Sequence, residues 1–570
     1  MSKTEKTPGQ IELARALKTV RHYFIYAGFF SAAVNLLMLV PIIYMLQVYD
    51  RVISSGNLST LGMLTLIAVF LLAAMGAFEW VRSAILVSAS NRIEQGLRER
   101  VFNATFKRAL MSGGMNNSSQ PISDLSSLRQ FLTGNGVFAF FDAPWYPIYV
   151  GVMFLFHPWF GVVGIVAGII MVLLAVANEK ITNKKLQNAN EEANQVNAQI
   201  NSSLRNAEVI GAMGMTENVR QRQQEKANRV LILQTEASRS AGKLTSVSKA
   251  FRVTTQSLIL GLGAYLAVNQ QISPGMMIAG SLLLGRALAP IDLLVGTWSG
   301  FSVARAQYGR LVKLLDNVPP DQEKMSLPTP EGNLQVEQLV VAPPGTRTPV
   351  VRGVNLSLTP GEALGIVGPS GSGKSSLARA MLGLWPALNG SVRLDGADVA
   401  SWDRQELGPY VGYLPQDIEL FDGTVAENIC RFGEPDSDQI VAAAKMAGVH
   451  DMVLHLPNGY DTHIGSSGGV LSGGQRQRIG LARAIYGQPR LVVLDEPNSN
   501  LDDAGEKELI NALQRVAEQG TTVVVITHRM MILSCVSKIL VLKEGAPVKF
   551  GPRDQVLSEL TGQQGNRATG

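Results

Sequence analysis

The chain has 570 residues, of which 46% are hydrophobic and only 17% are charged, against roughly 25% charged residues in an ordinary soluble domain. This composition excludes an intrinsically disordered chain, and two cysteines cannot form a disulfide scaffold. The length predicts several domains, and the low number of cysteines predicts a reducing compartment. The net charge of +5 would favour binding either to nucleic acid or to the anionic face of a membrane.

Long uncharged runs in the first half predict membrane spans. No Asp, Glu, Lys or Arg lies between Arg21 and Asp50, and this run exceeds the ~20 apolar residues that cross ~30 Å of hydrocarbon. Residues 52–78 form a second uncharged run, and 130–178, with Asp142 as its single charge, is long enough for two spans broken at His157-Pro158. Residues 253–285 are uncharged again, and a break at 269–275 divides a fifth span from a sixth that runs to about Val295. Six spans are therefore predicted, and six such runs disfavour the alternative of buried soluble helices.

The distribution of Lys and Arg predicts the orientation. The segment before the first span and the long loops after spans two and four are basic, whereas the opposite loops hold Arg51 and otherwise no Lys or Arg. The positive-inside rule places the N-terminus, the two long loops and everything after span six in the cytoplasm. Residues 1–21 lack the pattern of a signal peptide and are expected to be a short cytoplasmic segment without an accessory domain.

Composition also predicts the domain limits. The long cytoplasmic loops have a helical pattern, so the six-span transmembrane domain, residues 22–316, should extend beyond the membrane as helices. A proline-rich linker follows at 317–331, because a helix cannot continue through its prolines. A soluble domain is expected at 332–556 and a polar C-terminal tail at 557–570.

The second half of the chain contains a glycine-rich loop with the pattern of a phosphate-binding site. The apolar run 364–367 leads into the sequence GPSGSGKS and then into a helical run, which is the context that a phosphate-binding P-loop requires. Backbone N–H groups would enclose the β-phosphate, Lys374 would reach the β and γ oxygens, and Ser375 would offer its hydroxyl to Mg²⁺. The nucleotide-binding residues predicted here are Gly368, Pro369, Ser370, Gly371, Ser372, Gly373, Lys374, Ser375 and Ser376.

Two adjacent acids follow a second apolar strand at 491–494. Asp495 is predicted to orient the shell of a magnesium ion, and Glu496 to polarise the attacking water. Adjacent acids at a strand end can also be no more than a solvated terminus. The P-loop in the same domain favours the catalytic interpretation.

The sequence LSGGQRQR, at 471–478, lies between these motifs and resembles the signature of ATP-binding cassette (ABC) proteins. The alternative is a glycine-rich turn that opens a helix. The resemblance implies a cassette in which the signature grips the γ-phosphate on the P-loop of a partner domain, so that two cassettes form one closed site. The signature residues assigned in trans are Leu471, Ser472, Gly473, Gly474 and Gln475.

Three further positions match the cassette pattern. Gln416 resembles the Q-loop residue that contacts magnesium and senses the membrane domain, and Asp502 ends a segment that resembles the D-loop. His528 follows the apolar run 522–527 and resembles the switch histidine that holds the γ-phosphate and the water, although a lone histidine is more often structural. The predicted catalytic residues are therefore Glu496 and His528, and the predicted metal ligands are Ser375, Gln416 and Asp495.

Two positions depart from the family pattern. Cassettes usually stack the adenine on an aromatic ring in the strand before the P-loop, where this chain has Pro343. Adenine must then be held more weakly or by another group, for which Arg347 is a candidate. Exporters also tend to carry an acidic residue shortly before the signature, and residues 464–470 have none. This second departure puts coupling to the membrane domain in doubt, but not hydrolysis.

The order of the two halves predicts the assembly. Six spans ahead of one cassette resemble an ABC half-transporter of the type IV or B-type exporter plan, an all-α transmembrane domain followed by an α/β P-loop ATPase domain. A C₂ homodimer is the expected assembly. The segments YMLQVYDRV at 44–52 and FDAPWYP at 141–147 resemble PrtD-type exporters of type I secretion systems. Ordinary span ends with interfacial aromatics are the alternative.

This resemblance implies ATP-driven export, through the bacterial inner membrane, of unfolded protein that keeps a C-terminal signal. A membrane-fusion adaptor and an outer-membrane channel are the implied partners, besides the cargo and membrane lipids, and no nucleic acid is expected. ATP and Mg²⁺ are the implied cofactors. Some exporters cleave a leader peptide from their cargo with a Cys/His pair. No such pair is expected here, because both cysteines, Cys430 and Cys535, lie in the cassette.

Two other functions stay open on the sequence. A lipid or drug exporter would have the same architecture. A nucleotide-sensing regulatory membrane subunit would bind ATP without turnover, but Glu496 and His528 argue against it, because sensors commonly lose one of these residues.

A few polar residues are predicted at membrane depth. Asp142 and Pro144 lie beside the third span, and Arg286 and Asp292 lie in or near the sixth. A charge in the membrane lines a cavity or pairs across helices, and the sequence does not choose between these roles. A set of glycines at small-xxx-small spacing is expected to bring helices close together: Gly161, Gly164 and Gly168.

Overall fold

The computed structural model describes residues 7–113, 118–320, 324–465 and 471–565. These residues form two compact units. The first comprises the described residues up to Phe106 and Ser118–Pro320, and the second comprises those of Lys107–Asn117 and of Asp321–Gly570.

The first unit is helical throughout its described residues. Its helices, the fifth of which ends in the second unit, are α1 (Pro8–Thr19), α2 (Arg21–Leu37), α3 (Val40–Gln47), α4 (Ile53–Ser55), α5 (Leu58–Met111), α6 (Gln120–Thr133), α7 (Asn135–Asp142), α8 (Tyr146–Phe156), α9 (Pro158–Arg205), α10 (Ala207–Ala212), α11 (Thr216–Val268) and α12 (Pro274–Asn317). A π-helical turn at Val48–Val52 separates α3 from α4.

Within the described part of the chain, six helical stretches are long and apolar enough to cross a membrane, which confirms the six predicted spans. They are Arg21–Ser55, Leu58–Met111, Gly136–Phe156, Pro158–Arg205, Thr216–Val268 and Pro274–Asn317. The breaks between neighbouring spans fall where the sequence predicts them. His157 caps α9 by accepting a hydrogen bond from Trp159 N, at 3.3 Å, and Ser273 caps α12 by accepting one from Met276 N, at 3.1 Å.

Polar pairs join helices of the first unit. The Asp142 carboxylate accepts hydrogen bonds from Ser31 Oγ at 2.5 Å, Asn35 Nδ2 at 2.7 Å and Arg82 Nη1 at 3.0 Å. Asp292 accepts a hydrogen bond from Ser248 at 2.8 Å and pairs with Arg252 at 3.2 Å. Both acids therefore pair across helices, which is one of the two roles that the sequence left open.

The predicted glycines lie where α8 and α9 pack against each other. A methyl group at Gly161 would overlap the ring of Phe154, and one at Gly168 would overlap the ring of Tyr146. The Tyr146 hydroxyl donates a hydrogen bond to the carbonyl of Gly164 at 2.5 Å. These contacts confirm that the glycines bring two helices close together.

The second unit is an α/β domain, as predicted. After the end of α5, its elements are β1 (Leu334–Val341), β2 (Val351–Leu358), β3 (Ala363–Val367), α13 (Lys374–Met381), β4 (Ala387–Leu394), β5 (Ala397–Asp398), α14 (Arg404–Leu407), β6 (Val411–Leu414), β7 (Gly423–Thr424), α15 (Val425–Ile429), α16 (Ser437–Met446), α17 (His450–Leu454), β8 (His463–Ile464), α18 (Gly473–Ile485), β9 (Leu491–Asp495), α19 (Asp503–Glu518), β10 (Thr522–Ile526), β11 (Lys538–Lys543), β12 (Ala546–Pro552) and α20 (Arg553–Gly565).

A six-stranded sheet forms the centre of this domain, in the order β12-β11-β3-β10-β9-β6. Its neighbouring strands are parallel except for β12, and every residue of β9 and β10 is buried, as expected for strands that are covered on both faces. An antiparallel sheet has the order β2-β1-β4-β5. Residues 557–565 of the predicted polar tail belong to α20, and residues 566–570 lie outside the described part.

We predict that Asp142→Ala destabilises the first unit. The Arg82 side chain is only 3% exposed and would lose its closest carboxylate, and removing one partner of a buried pair costs about 3–5 kcal/mol. The measurement is thermal unfolding of the detergent-purified protein. Glu217→Ala is the control, because it breaks a pair with Arg220 on α11 in which both side chains are 59% exposed. Equal shifts in the two variants would contradict a structural role for the Asp142 pair.

Candidate nucleotide-binding and catalytic site

The sheet order brings four loops of the second unit to one edge. Strands β3, β10, β9 and β6 are adjacent and parallel, so their carboxyl ends lie side by side. The P-loop follows β3, His528 follows β10, Glu496 follows β9 and Gln416 follows β6. Ligands of open α/β sheets bind at such carboxyl ends.

The P-loop, residues 368–373, connects β3 to α13, whose first turn contains Lys374, Ser375 and Ser376. Gly373 has φ 91°, and a side chain there would press against the carbonyl oxygen of Val350, 2.6 Å from its Cβ. The Lys374 ammonium donates hydrogen bonds of 2.9 Å to the carbonyls of Gly368 and Pro369. The loop therefore wraps around the lysine at a helix N-terminus, where backbone N–H groups favour an anion.

Asp495 is the last residue of β9 and is 2% exposed. Its burial raises the pKa of the carboxyl group, against the effect of a hydrogen bond from the Ser375 hydroxyl. Burial likewise lowers the pKa of Lys374, although Glu496 and Asp495 oppose that change. Two predicted metal ligands, Asp495 and Ser375, thus lie near each other.

Glu496 is the centre of a cluster of three predicted site residues. Its carboxylate accepts a hydrogen bond from Gln416 Nε2 at 3.1 Å and lies 3.4 Å from His528 Nε2. Its backbone is left-handed, with φ 51°, and its N–H donates to the carbonyl of Ile526 on β10 at 3.0 Å. Strain of this kind in a non-glycine residue is typical of functional sites.

The signature opens α18. Ser472 is the N-cap residue and exchanges hydrogen bonds with Gln475: its hydroxyl accepts from Gln475 N at 3.3 Å, and its N–H donates to Gln475 Oε1 at 2.8 Å. A Cβ at Gly474 would lie 2.8 Å from the carbonyl oxygen of Asn500. Asp502 caps α19 by accepting a hydrogen bond from Gly505 N at 2.9 Å. Leu471 is buried.

Gln477 lies between these elements, although the sequence pattern did not indicate a role for it. It is 1% exposed and bonded to both Glu496 and Asn500. Its position on the same face of α18 as the buried Leu481 and Ala484 was a sequence signal, because a glutamine on an apolar helix face needs buried partners.

Two buried polar atoms test whether the site fits a magnesium nucleotide. Within the described residues, Asp495 Oδ1 and Ser372 Oγ have no hydrogen-bond partner. Buried polar atoms are normally paired, and the oxygen atoms of a carboxylate and of a serine hydroxyl are of the kind that Mg²⁺ prefers as ligands. The residues therefore fit both the ion and the phosphates.

The two departures from the cassette pattern have different outcomes. Pro343 lies in a turn after β1, closed by a 3.0 Å hydrogen bond from Thr346 N to its carbonyl, and Arg347 is exposed. That Arg347 holds adenine stays a prediction. Of the stretch without an acidic residue, Ile464 belongs to β8, and residues 466–470 lie outside the described part.

Comparisons with known proteins cover both units. The family model described as ABC transporter transmembrane region matches residues 24–289, and the model described as ABC transporter matches residues 351–499. A solved bacterial Atm1-family ABC exporter with ATP bound superposes with a TM-score of 0.81, covering 97% of this chain and 99% of its own, at 22% identity. That likeness supports the exporter fold.

Two curated relatives are similar over almost the whole chain. The type I secretion system ATP-binding protein PrsD of Rhizobium meliloti is 45% identical, covering 96% of this chain and 94% of the relative. The leukotoxin translocation ATP-binding protein LktB of Mannheimia glucosida is 27% identical, covering 95% of this chain and 77% of the relative. With six spans ahead of an α/β cassette, the chain therefore belongs to the ABC transporter family, among the ATP-binding proteins of type I secretion systems.

Proposed function

We propose that this protein is the ATP-driven inner-membrane exporter of a type I secretion system. The observation that carries the proposal is the 45% identity to a type I secretion ATP-binding protein over 96% of the chain, which includes the membrane half. ATP hydrolysis is the chemistry of the cassette, so similarity over the cassette alone would not support a choice of cargo. The cargo would be unfolded polypeptide with an uncleaved C-terminal signal.

Hydrolysis would use the cluster at the edge of the sheet. Glu496 would act as the general base toward water, with His528 at 3.4 Å holding the water and the γ-phosphate. Lys374, the glycine backbone and the start of α13 would bind the phosphates. Ser375, Gln416 and Asp495 would hold the magnesium ion, which neutralises phosphate charge when bound.

The complete site would need two chains. The described hydrogen bonds of Ser472 are made with Gln475 and Arg476 of its own helix, and the signature is proposed to complete the site of a second copy. We propose a homodimer with two composite sites, Asp502 belonging to the D-loop at the junction. A membrane-fusion adaptor and an outer-membrane channel would continue the path, and the N-terminus and cassette would face the cytoplasm, as the basic loops indicate.

The first prediction from this proposal concerns the general base. Glu496→Gln should keep ATP binding and lower kcat by about 10² to 10⁴, the usual effect of a positioned base. Lys374→Ala should instead weaken nucleotide binding itself. Steady-state ATP hydrolysis and equilibrium nucleotide binding by the purified protein distinguish the two effects. Turnover of Glu496→Gln within a few-fold of wild type would remove Glu496 from this role.

The second prediction concerns composite sites. A Lys374→Ala chain mixed with a Ser472→Arg chain places both defects in one composite site and leaves the other intact. The mixed dimer, isolated by two affinity tags, should therefore hydrolyse ATP faster than either mutant homodimer. Nucleotide trapping should accompany the assay, because strict coupling between the sites could also silence the intact one. Absence of both trapping and turnover in the mixed dimer would contradict sites completed in trans.

The third prediction concerns the cargo. The last ~50 residues of a cognate secreted protein, fused to a slow-folding passenger, should carry that passenger to the medium with the tail intact, because an unfolded chain can thread a pore that a packed domain cannot. Export should stop with Glu496→Gln or without the adaptor. If the passenger stays inside, while the purified protein moves labelled lipid between leaflets at the expense of ATP, a lipid exporter is the correct assignment.

A further inference from the structure

The signature helix contains a buried side-chain amide to which the proposed function assigns no role. Gln477 is 1% exposed, and both ends of its side-chain amide are bonded. Its Nε2 donates to the backbone carbonyl of Glu496 at 3.3 Å, and its Oε1 accepts from the backbone N–H of Asn500 at 2.9 Å. A buried amide that loses such partners is destabilising, so the two bonds hold this side chain in one orientation.

The bond to Glu496 acts on a residue whose backbone is strained. Glu496 has φ 51°, a left-handed conformation that a glutamate adopts only when its surroundings impose it. Its N–H is tied to Ile526 at 3.0 Å, and its carbonyl accepts from Ser499 N at 3.2 Å as well as from Gln477. Three bonds therefore fix both peptide groups of the residue that carries the catalytic carboxylate.

The bond to Asn500 joins a second element to the same helix. Asn500 lies in the D-loop, and its carbonyl oxygen approaches α18 so closely that a Cβ at Gly474 would be 2.8 Å away. A Cβ at Gly473 would lie 3.4 Å from the side-chain Cγ of Asn500. Gly474 thus permits the close contact that Gln477 completes, whereas a methyl group at Gly473 would make only an ordinary contact. The helix N-terminus, the Glu496 turn and the D-loop pack as one piece.

We propose that Gln477 is a positioning residue for ATP hydrolysis, which fixes Glu496 and the D-loop against the signature helix. This inference rests on the proposed function, in which Glu496 acts on the nucleotide of its own P-loop while the signature acts on the nucleotide of the partner. Gln477 then joins the general base of one composite site to the phosphate-binding helix of the other. Movement at either site is transmitted through this amide.

Two near-isosteric variants test the proposal in the full-length protein. Gln477→Met removes both bonds, whereas Gln477→Glu keeps the acceptor for Asn500 N and, in its ionised form, loses the donor to Glu496. Both should lower kcat by about 10- to 100-fold while the KM for ATP changes by less than about threefold, because a misplaced base slows chemistry without weakening phosphate binding. Asn428→Met is the matched control: Asn428 is a fully buried amide of the same domain, bonded to Phe421 and Thr424. It should lower Tm without a comparable loss of kcat.

A double-mutant cycle separates positioning from general destabilisation. Because Gln477 acts through Glu496, adding Gln477→Met to Glu496→Gln should change the residual turnover of radiolabelled ATP by less than about twofold. An equal fractional loss in both backgrounds, a KM that rises in parallel, or wild-type turnover in Gln477→Met would each overturn the proposal. Wild-type turnover in Glu496→Gln alone would instead contradict the proposed function, so the two failures are distinguishable.

Discussion

The parallel pairing of four buried strands is the constraint on which the site depends. Ile526 of β10 is paired with Ile366 of β3 and with Asp495 of β9, and Leu414 of β6 is paired with Leu494. All of these strands are almost completely apolar, so a slip in register would place polar residues in the core. The loops that follow the strands are therefore held in one arrangement, with the P-loop after β3 and the acids and His528 after the neighbouring strands.

The strain at Glu496 is a consequence of this arrangement. The chain turns sharply at the end of β9, and Glu496 makes this turn with a left-handed backbone. Its carboxylate thereby points toward Gln416 and His528. The free energy of the conformation is offset by hydrogen bonds from three directions, one of them from Gln477 on the signature helix. Stability of the domain and the position of the Glu496 carboxylate thus depend on the same backbone groups.

A different interaction organises the membrane half. Lipid gives helices no hydrophobic reason to associate, so close packing and polar pairs have to hold them. The Asp142 network joins α2, α5 and α7, and the glycines of α9 admit the rings of α8. The segment 44–52, by which the chain resembles protein exporters, contributes Asp50, which accepts hydrogen bonds from Ser273 Oγ at 2.5 Å and from Gly275 N at 2.9 Å at the start of α12. That segment thus includes a residue that joins the first span to the sixth.

The sequence alone determined much of this protein, because the relevant signals are local. Uncharged runs, strand-loop-helix order and the P-loop glycines depend on neighbours in the chain, and they yielded six spans, an α/β cassette and its family. Only the tertiary structure decided which distant residues meet. Nothing local indicates that Asp142 pairs with Arg82, or that Gln477 reaches the carbonyl of Glu496. Such contacts depend on how helices and strands pack against each other. The neighbours of a residue in the chain do not identify its distant partner.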